Sequence, residues 1–173
     1  MMPSTVSIQE VRTPSAFNLA EGLIRDYVTW LNFDLSFQQF DTEMATLDSV
    51  YRAPLGRLFL AFVNGEAVGV AGIKKFSRND CEVKRMFVRP PARGLGVGQL
   101  LLSACIDAAK NLHYRCVKLD SVAFMQSAIN LYCANGFREI TAYRFNPHPE
   151  ARYFELMIDE DVPRTPWSPL HCC

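Results

Sequence analysis

Between Arg89 and Gly98 the chain reads Arg-Pro-Pro-Ala-Arg-Gly-Leu-Gly-Val-Gly, with glycines at alternate positions 94, 96 and 98. Glycine lets the backbone take positive φ and leaves no side chain between the amides and a ligand. Directly after this run, Leu101, Cys105, Ala108, Ala109 and Leu112 recur at the helical period, with Ser103, Asp107 and Lys110 opposite. A glycine loop that opens a helix presents unpaired N–H groups and the positive end of the helix dipole, an arrangement suited to phosphate oxygens. Lys84, Arg85, Arg89 and Arg93 add four cations to the neighbourhood.

Two phosphate-binding patterns fail on these residues. A Walker loop needs Gly-Lys-Ser or Gly-Lys-Thr, and the chain has neither. The dinucleotide pattern G-x-G-x-x-G would need glycine where Gln99 or Leu101 stands. Asp120 could imitate its ribose-binding acid, but a dinucleotide domain would not place this loop after four earlier strands.

The elements that must position the loop follow from periodicity and turn signals. Val6, Ile8 and Val11 predict a first strand; Pro14 and a Ser15 cap then predict a helix to about Leu31, and a second helix covers Asp41 to Val50. Leu58–Val63 and Ala67–Phe76 read as strands joined by Asn64-Gly65, a hairpin signal, and Glu82–Val88 as the next strand. After the loop and its helix come a strand at Val117–Val122 and a helix at Met125–Asn135 closed by Gly136. Two last strands run near Arg138–Tyr143 and Ala151–Ile158. The strand–loop–helix–strand unit demands a parallel pair inside an otherwise antiparallel meander. The expected fold class is therefore α/β (α+β): a mixed, mostly antiparallel, twisted sheet of about seven strands with helices on both faces. One domain spans 1–159, and 160–173, with prolines at 163, 166 and 169, reads as an extended, flexible tail.

Two segments carry a resemblance. Arg93-Gly94-Leu95-Gly96-Val97-Gly98 resembles the R/Q-x-x-G-x-G/A signature of the GNAT superfamily of N-acetyltransferases. Ala128 to Phe137 is similar to that family's A-x-x-L-Y-x-x-x-G-F segment. The likeness covers about residues 6–158 in element order. It implies acetyl-CoA as cosubstrate, with its pyrophosphate on Arg93, Gly94, Leu95, Gly96, Val97 and Gly98. The pantetheine arm would lie along Met86, Phe87 and Val88, on a fourth strand splayed from the fifth. One departure stands out: the family often has Asn seven residues before the helix tyrosine, where this chain has Met125.

Acetyl transfer from a thioester to an amine needs a neutral nucleophile, an oxyanion donor and an acid for the thiolate. A lysine-like amine has a pKa of about 10.4, so a base or a water chain must strip it. By the same resemblance Tyr132 is the acid and also touches the cofactor; its structural alternative is a helix aromatic packed beside Phe137. Glu82, just upstream of the pantetheine strand, is the expected base, and a backbone N–H near Val88 the oxyanion donor. Cys133 lacks an activating neighbour and reads as a packed thiol, which leaves direct attack in a ternary complex. For the acceptor, Trp30, Phe33, Asp34, Phe37, Arg144 and Asn146 are candidates. Tyr27, Trp30, Phe33, Phe37 and Phe40 fall on one face if that stretch is helical.

The expected function is an acetyl-CoA-dependent N-acetyltransferase acting on a primary amine of a small molecule, an amino acid among the candidates. A non-catalytic acyl-CoA-binding module and an enzyme acting on protein amines stay open. With 173 residues, 49% hydrophobic, the chain can bury a sizeable core, and 18 basic against 18 acidic residues leave no global field for nucleic acid. No apolar stretch reaches spanning length, so no membrane partner is expected. The start, Met1-Met2-Pro3-Ser4, lacks the parts of a signal peptide, so a cytoplasmic location is expected. Six scattered cysteines without ligand spacing read as reduced thiols, with no metal; a homodimer is allowed.

Overall fold

The computed structural model describes residues 5–34 and 39–158. The last residues of the expected domain, the proline-bearing tail, and Phe37 lie outside them. Seven strands form one sheet in the order β1-β2-β3-β4-β5-β7-β6. They are β1 (Val6–Glu10), β2 (Arg57–Val63), β3 (Glu66–Lys75), β4 (Asp80–Val88), β5 (Cys116–Val122), β6 (Arg138–Ile140) and β7 (Ala151–Met157). Every neighbouring pair is antiparallel except β4 and β5, whose crossover is α4 (Val97–Asn111). Asn64 and Gly65, at φ 50° and 85°, make the tight β2–β3 turn that their sequence signals.

Helices cover both faces, each over its own apolar cluster. One face packs α4 (Leu101, Leu102, Cys105, Ala109) and α5 (Gln126–Ala134; Ile129, Tyr132) on Ile73, Val117 and Phe154. The other packs α1 (Pro14–Leu31; Phe17, Ala20, Leu23, Ile24) on Leu58, Leu60 and Val70. Three local expectations are corrected. Thr13, not Ser15, caps α1: its Oγ1 accepts the Ala16 N–H at 3.3 Å, with Pro14 in the first turn. The second helix is two short ones, α2 (Phe40–Ala45) and α3 (Leu47–Val50), broken at Thr46. Finally, β6 stops at Ile140, and residues 141–150 cross to β7 without regular structure.

The feature that makes a site is the fork between β4 and β5. Their pairing runs only from Asp80↔Cys116 to Glu82↔Lys118, so beyond Glu82 the β5-facing backbone edge of β4 has no strand partner among the described residues. A bulge assists: between Val70↔Phe87 and Gly72↔Lys84, β3 advances two residues while β4 advances three. Arg85 sits in the bulge at φ 57°, a left-handed conformation unusual for a side-chain-bearing residue. Its side chain is held by Glu43 of α2, through Nε–Oε1 at 2.9 Å and Nη2–Oε2 at 3.2 Å. The Glu43 carboxylate also accepts from Tyr51 Oη at 2.7 Å and Lys74 Nζ at 3.2 Å. Tyr51 reaches it by lying over Gly72, where a Cβ would sit 2.7 Å from the ring.

Candidate active site

Two cavities meet at the fork. The larger, about 580 Å³, is lined by Met86, Phe87 and Val88 of β4, by Arg93, Gly94, Gly96, Val97 and Gly98 of the glycine loop, and by Tyr132 of α5. Of the residues expected along a cofactor, only Leu95 is missing from the lining; it is exposed. Gly94 and Gly96 take φ 82° and 79°, the conformation for which glycine is suited. Gly96 is also the N-cap of α4 and offers no side-chain oxygen, so the first amides of α4 keep their donors for a ligand.

The four expected cations are distributed differently. Arg89 is paired with Asp26 at 2.7 Å, and Lys84 and Arg85 are buried with Asp120 and Glu43. Arg93 is left to serve the groove, its guanidinium stacked over the Trp30 ring at 4.5 Å and Nε bonded to Val88 O at 3.0 Å. Trp30, expected toward the acceptor, therefore lines the larger groove. The aromatic stripe is broken because α1 ends at Leu31 and Asn32 turns left-handed at φ 49°. Sequence reading also missed Gln99 and Asn135. Their side-chain amides bond reciprocally at 2.8 and 2.9 Å and tie α4 to α5 beside the groove.

The smaller cavity, about 70 Å³, is lined by both strands of the fork. Its polar lining comes from Lys84 and Arg85 of β4, Asp120 and Ser121 of β5, and Asn146 and His148 of the 141–150 segment. Phe33 and Asn146 of the expected acceptor residues are there; Asp34 and Arg144 are not. Asp120 is the lone carboxylate in this lining. It accepts from Lys84 Nζ at 2.9 Å and from Asn146 Nδ2 at 2.8 Å. Burial opposes its ionisation, but Lys84, Asn146 and Arg144 outweigh that and hold its carboxyl below the usual range. Burial in turn pushes the Lys84 ammonium down. His148 Nδ1 accepts the Glu150 N–H at 3.1 Å, which leaves Nε2–H as the donor of the neutral ring.

Met86, Met125 and Tyr132 line both cavities, so the phenol stands where they join. Tyr132 is 6% exposed and packs against Phe137 and Phe154 at ring separations of 5.9 and 6.2 Å. Among the described residues its Oη meets only the weak acceptor Met86 Sδ, at 3.8 Å. Burial, reinforced by Tyr27, Cys105 and Asp120, pushes this phenol well above its ordinary pKa, which suits it to give a proton rather than to take one.

Glu82 lines neither cavity. It is 2% exposed and bonded to Arg144 Nη1 at 2.8 and 3.0 Å and to Tyr143 Oη at 2.8 Å. Cys133, expected to be packed, is exposed and also outside both cavities. Burial pushes the Cys81 and Cys116 thiols up to about 12, which makes them poor nucleophiles. Among the described residues no group of three or more His, Cys, Asp or Glu could hold a metal, and no helix is long and apolar enough to cross a membrane.

Residues 24–137 match the model of the acetyltransferase (GNAT) family. An uncharacterized N-acetyltransferase of Schizosaccharomyces pombe is 34% identical over 162 residues, covering 92% of this chain and 99% of that protein. The N-acetylaspartate synthetase of Danio rerio is 34% identical over 101 residues, 57% of this chain and 36% of its own length. In fold, the chain is similar to yncA of Salmonella typhimurium, solved with its cofactor acetyl-CoA: TM-score 0.64, 18% identity, 91% of this chain and 96% of that one covered. The forked sheet with its glycine loop and buried tyrosine therefore has a family: this chain belongs to the GNAT acetyltransferases.

Proposed function

We propose that the chain moves an acetyl group from acetyl-CoA to the primary amine of a small molecule, by direct attack in a ternary complex. The observation that carries this reading is the junction: a larger groove and a small, partly polar cavity share one phenol, Tyr132, in their walls. The groove fits the cosubstrate. Donor amides of Gly94 to Gly98 suit a diphosphate, the unpaired edge of β4 from Met86 to Val88 suits an amide-bearing arm, and Arg93 adds the charge. Bound there, acetyl-CoA supplies an activated acyl thioester. Met125 stands where the family often has Asn, so the polar work along the arm falls to the β4 backbone.

On the acceptor side, a cavity of about 70 Å³, well above the roughly 10–15 Å³ that one water needs, has room for the amine end of a small compound. Asp120 receives the ammonium, and its low pKa makes it an anchor that stays ionised rather than a strong base. His148 Nε2–H and Lys84 offer donors to an oxygen on the same molecule, which favours amino acids; a synthetase of an N-acetylated amino acid among the relatives agrees with this. A water chain strips the bound ammonium and the neutral amine attacks the thioester carbon, with a β4 amide near Val88 meeting the oxyanion; as the C–S bond breaks, Tyr132 gives its proton to the departing sulfur, and the surplus proton on nitrogen returns through the same water to the phenol.

Incubating the protein with acetyl-CoA and a panel of amino acids and other amines, while following thiol release, tests the reading. Turnover of a small amine supports it. Binding of acetyl-CoA without thiol release for any amine would leave a binding module instead. Two variants test the parts. Gly96→Ala forces a Cβ into positive φ, at roughly 1 kcal/mol or more, and should weaken acetyl-CoA binding about fivefold or more by calorimetry. Asp120→Asn should raise KM for the amine by at least about tenfold while KM for acetyl-CoA stays within about twofold. Equal effects on both constants would remove the anchor role.

A further inference from the structure

We propose that Glu82 is a positioning residue that holds the 143–150 segment as a wall of the acceptor cavity, and that the proton of the amine does not pass to it. The proposal rests on reading that cavity as the acceptor site. Glu82 is the last β4 residue paired with β5, so it stands at the root of the fork. Residues i and i+2 of a strand share a face, which sets Glu82 and Lys84 as two successive rungs. Each rung meets the 143–150 segment. Glu82 does so directly, through Tyr143 and Arg144; Lys84 does so through Asp120, which accepts from Asn146.

Residues 141–150 carry no helix or strand; backbone bonds hold their end, from Ala123 N–H to Glu150 O at 3.0 Å and from Ala151 N–H to His148 O at 3.1 Å, and side-chain moorings hold the part before it. Tyr143 is seated edge-on to Phe76 and Tyr153 at 5.1 and 5.6 Å, with its hydroxyl on Glu82. Arg144 Nε is buried without a hydrogen-bond partner among the described residues, which leaves the guanidinium dependent on the Glu82 carboxylate. From this anchor the chain places Asn146 on Asp120, Asn146 Oδ1 accepts the His148 N–H at 3.0 Å, and the His148 ring packs on Phe33 at 4.9 Å. A carboxylate already accepting three short bonds and lining neither cavity is built to hold, and it has no open path to an amine.

Glu82→Gln keeps the shape and one acceptor oxygen but removes the charge that holds Arg144. We expect faster backbone hydrogen exchange confined to 143–150, and KM for the amine up about tenfold or more. KM for acetyl-CoA should stay within about twofold, and the pH profile of kcat should keep its shape. Unchanged exchange in 143–150, together with a collapse of kcat and loss of the acidic limb of that profile, would overturn the proposal and make Glu82 the base. Should the Gln variant not fold, Tyr143→Phe removes one of the three bonds and should shift exchange and KM the same way more mildly; no shift in either counts against the anchor. If wild-type protein turns over no amine, the functional reading fails, while the exchange measurement still decides whether Glu82 moors the segment.

Discussion

Replacing Tyr132 by Phe should lower kcat by about 10²-fold or more, the size expected for loss of a positioned general acid, while acetyl-CoA binding by calorimetry barely changes. The structure makes this substitution clean. The hydroxyl's one described partner is the thioether of Met86 at 3.8 Å, a weak acceptor, so little stability goes with it. The ring keeps its packing on Phe137 and Phe154. What disappears is a proton held in a buried place between the two cavities, on a phenol whose raised pKa keeps it protonated across the working range. The raised pKa also makes the phenol a reluctant donor, so the thiolate must meet it at close range and away from water to draw the proton. Rapid-mixing measurements should therefore show the acyl-transfer step slowed and product release unaffected. Wild-type turnover in the Phe variant would reduce Tyr132 to the packed helix aromatic that its sequence position equally allows.

The parts of this site that the sequence exposed are those fixed by local backbone physics. Gly94 and Gly96 take the positive φ for which glycine is the permissive residue, and the apolar period after them marks α4. Tyr132 is found through the resemblance that Ala128 to Phe137 carries; local physics fixes only its helix, α5, which Gly136 at φ 87° follows. What stayed hidden depends on pairings between distant residues. Glu82 and Arg144 are 62 apart in sequence, Lys84 and Asp120 36, and Glu43 and Arg85 42. From composition alone Glu82 is a charge on a strand, and only the fold shows that its lone pairs are occupied. The same holds for the four basic residues near the loop, three of which prove to be neutralised by acids from other elements. Asp120 stood out in the sequence only as an imitation of a ribose-binding acid, and neither its place nor that of His148 beside an acceptor cavity could be read there, since the cavity's lining defines both.

Glu43→Ala should cost about 3–5 kcal/mol of stability, the usual result of leaving one member of a buried ion pair unpartnered. Glu43 and Arg85 are both almost fully buried, with side chains 4% and 1% exposed, so Arg85 would keep its charge with no acid to meet it. Because Arg85 is also the left-handed residue of the β4 bulge, the variant should loosen the fork itself. Urea unfolding of wild type and variant measures the first effect, and weaker binding of acetyl-CoA by the folded variant measures the second. The wild-type pH dependence follows from the same contact. Burial would raise the Glu43 carboxyl, but Arg85, Lys74 and Tyr51 bring it down to about 2, against about 4.3 for an unfolded glutamate. A depressed pKa contributes stability that is complete above the unfolded value and is lost as pH falls from about 4.3 through about 2. The stability difference between wild type and Glu43→Gln, which cannot ionise, should therefore be flat above about pH 5 and shrink on acidification. A difference that stays constant down to pH 2 would mean that the carboxylate's charge contributes nothing to holding the bulge.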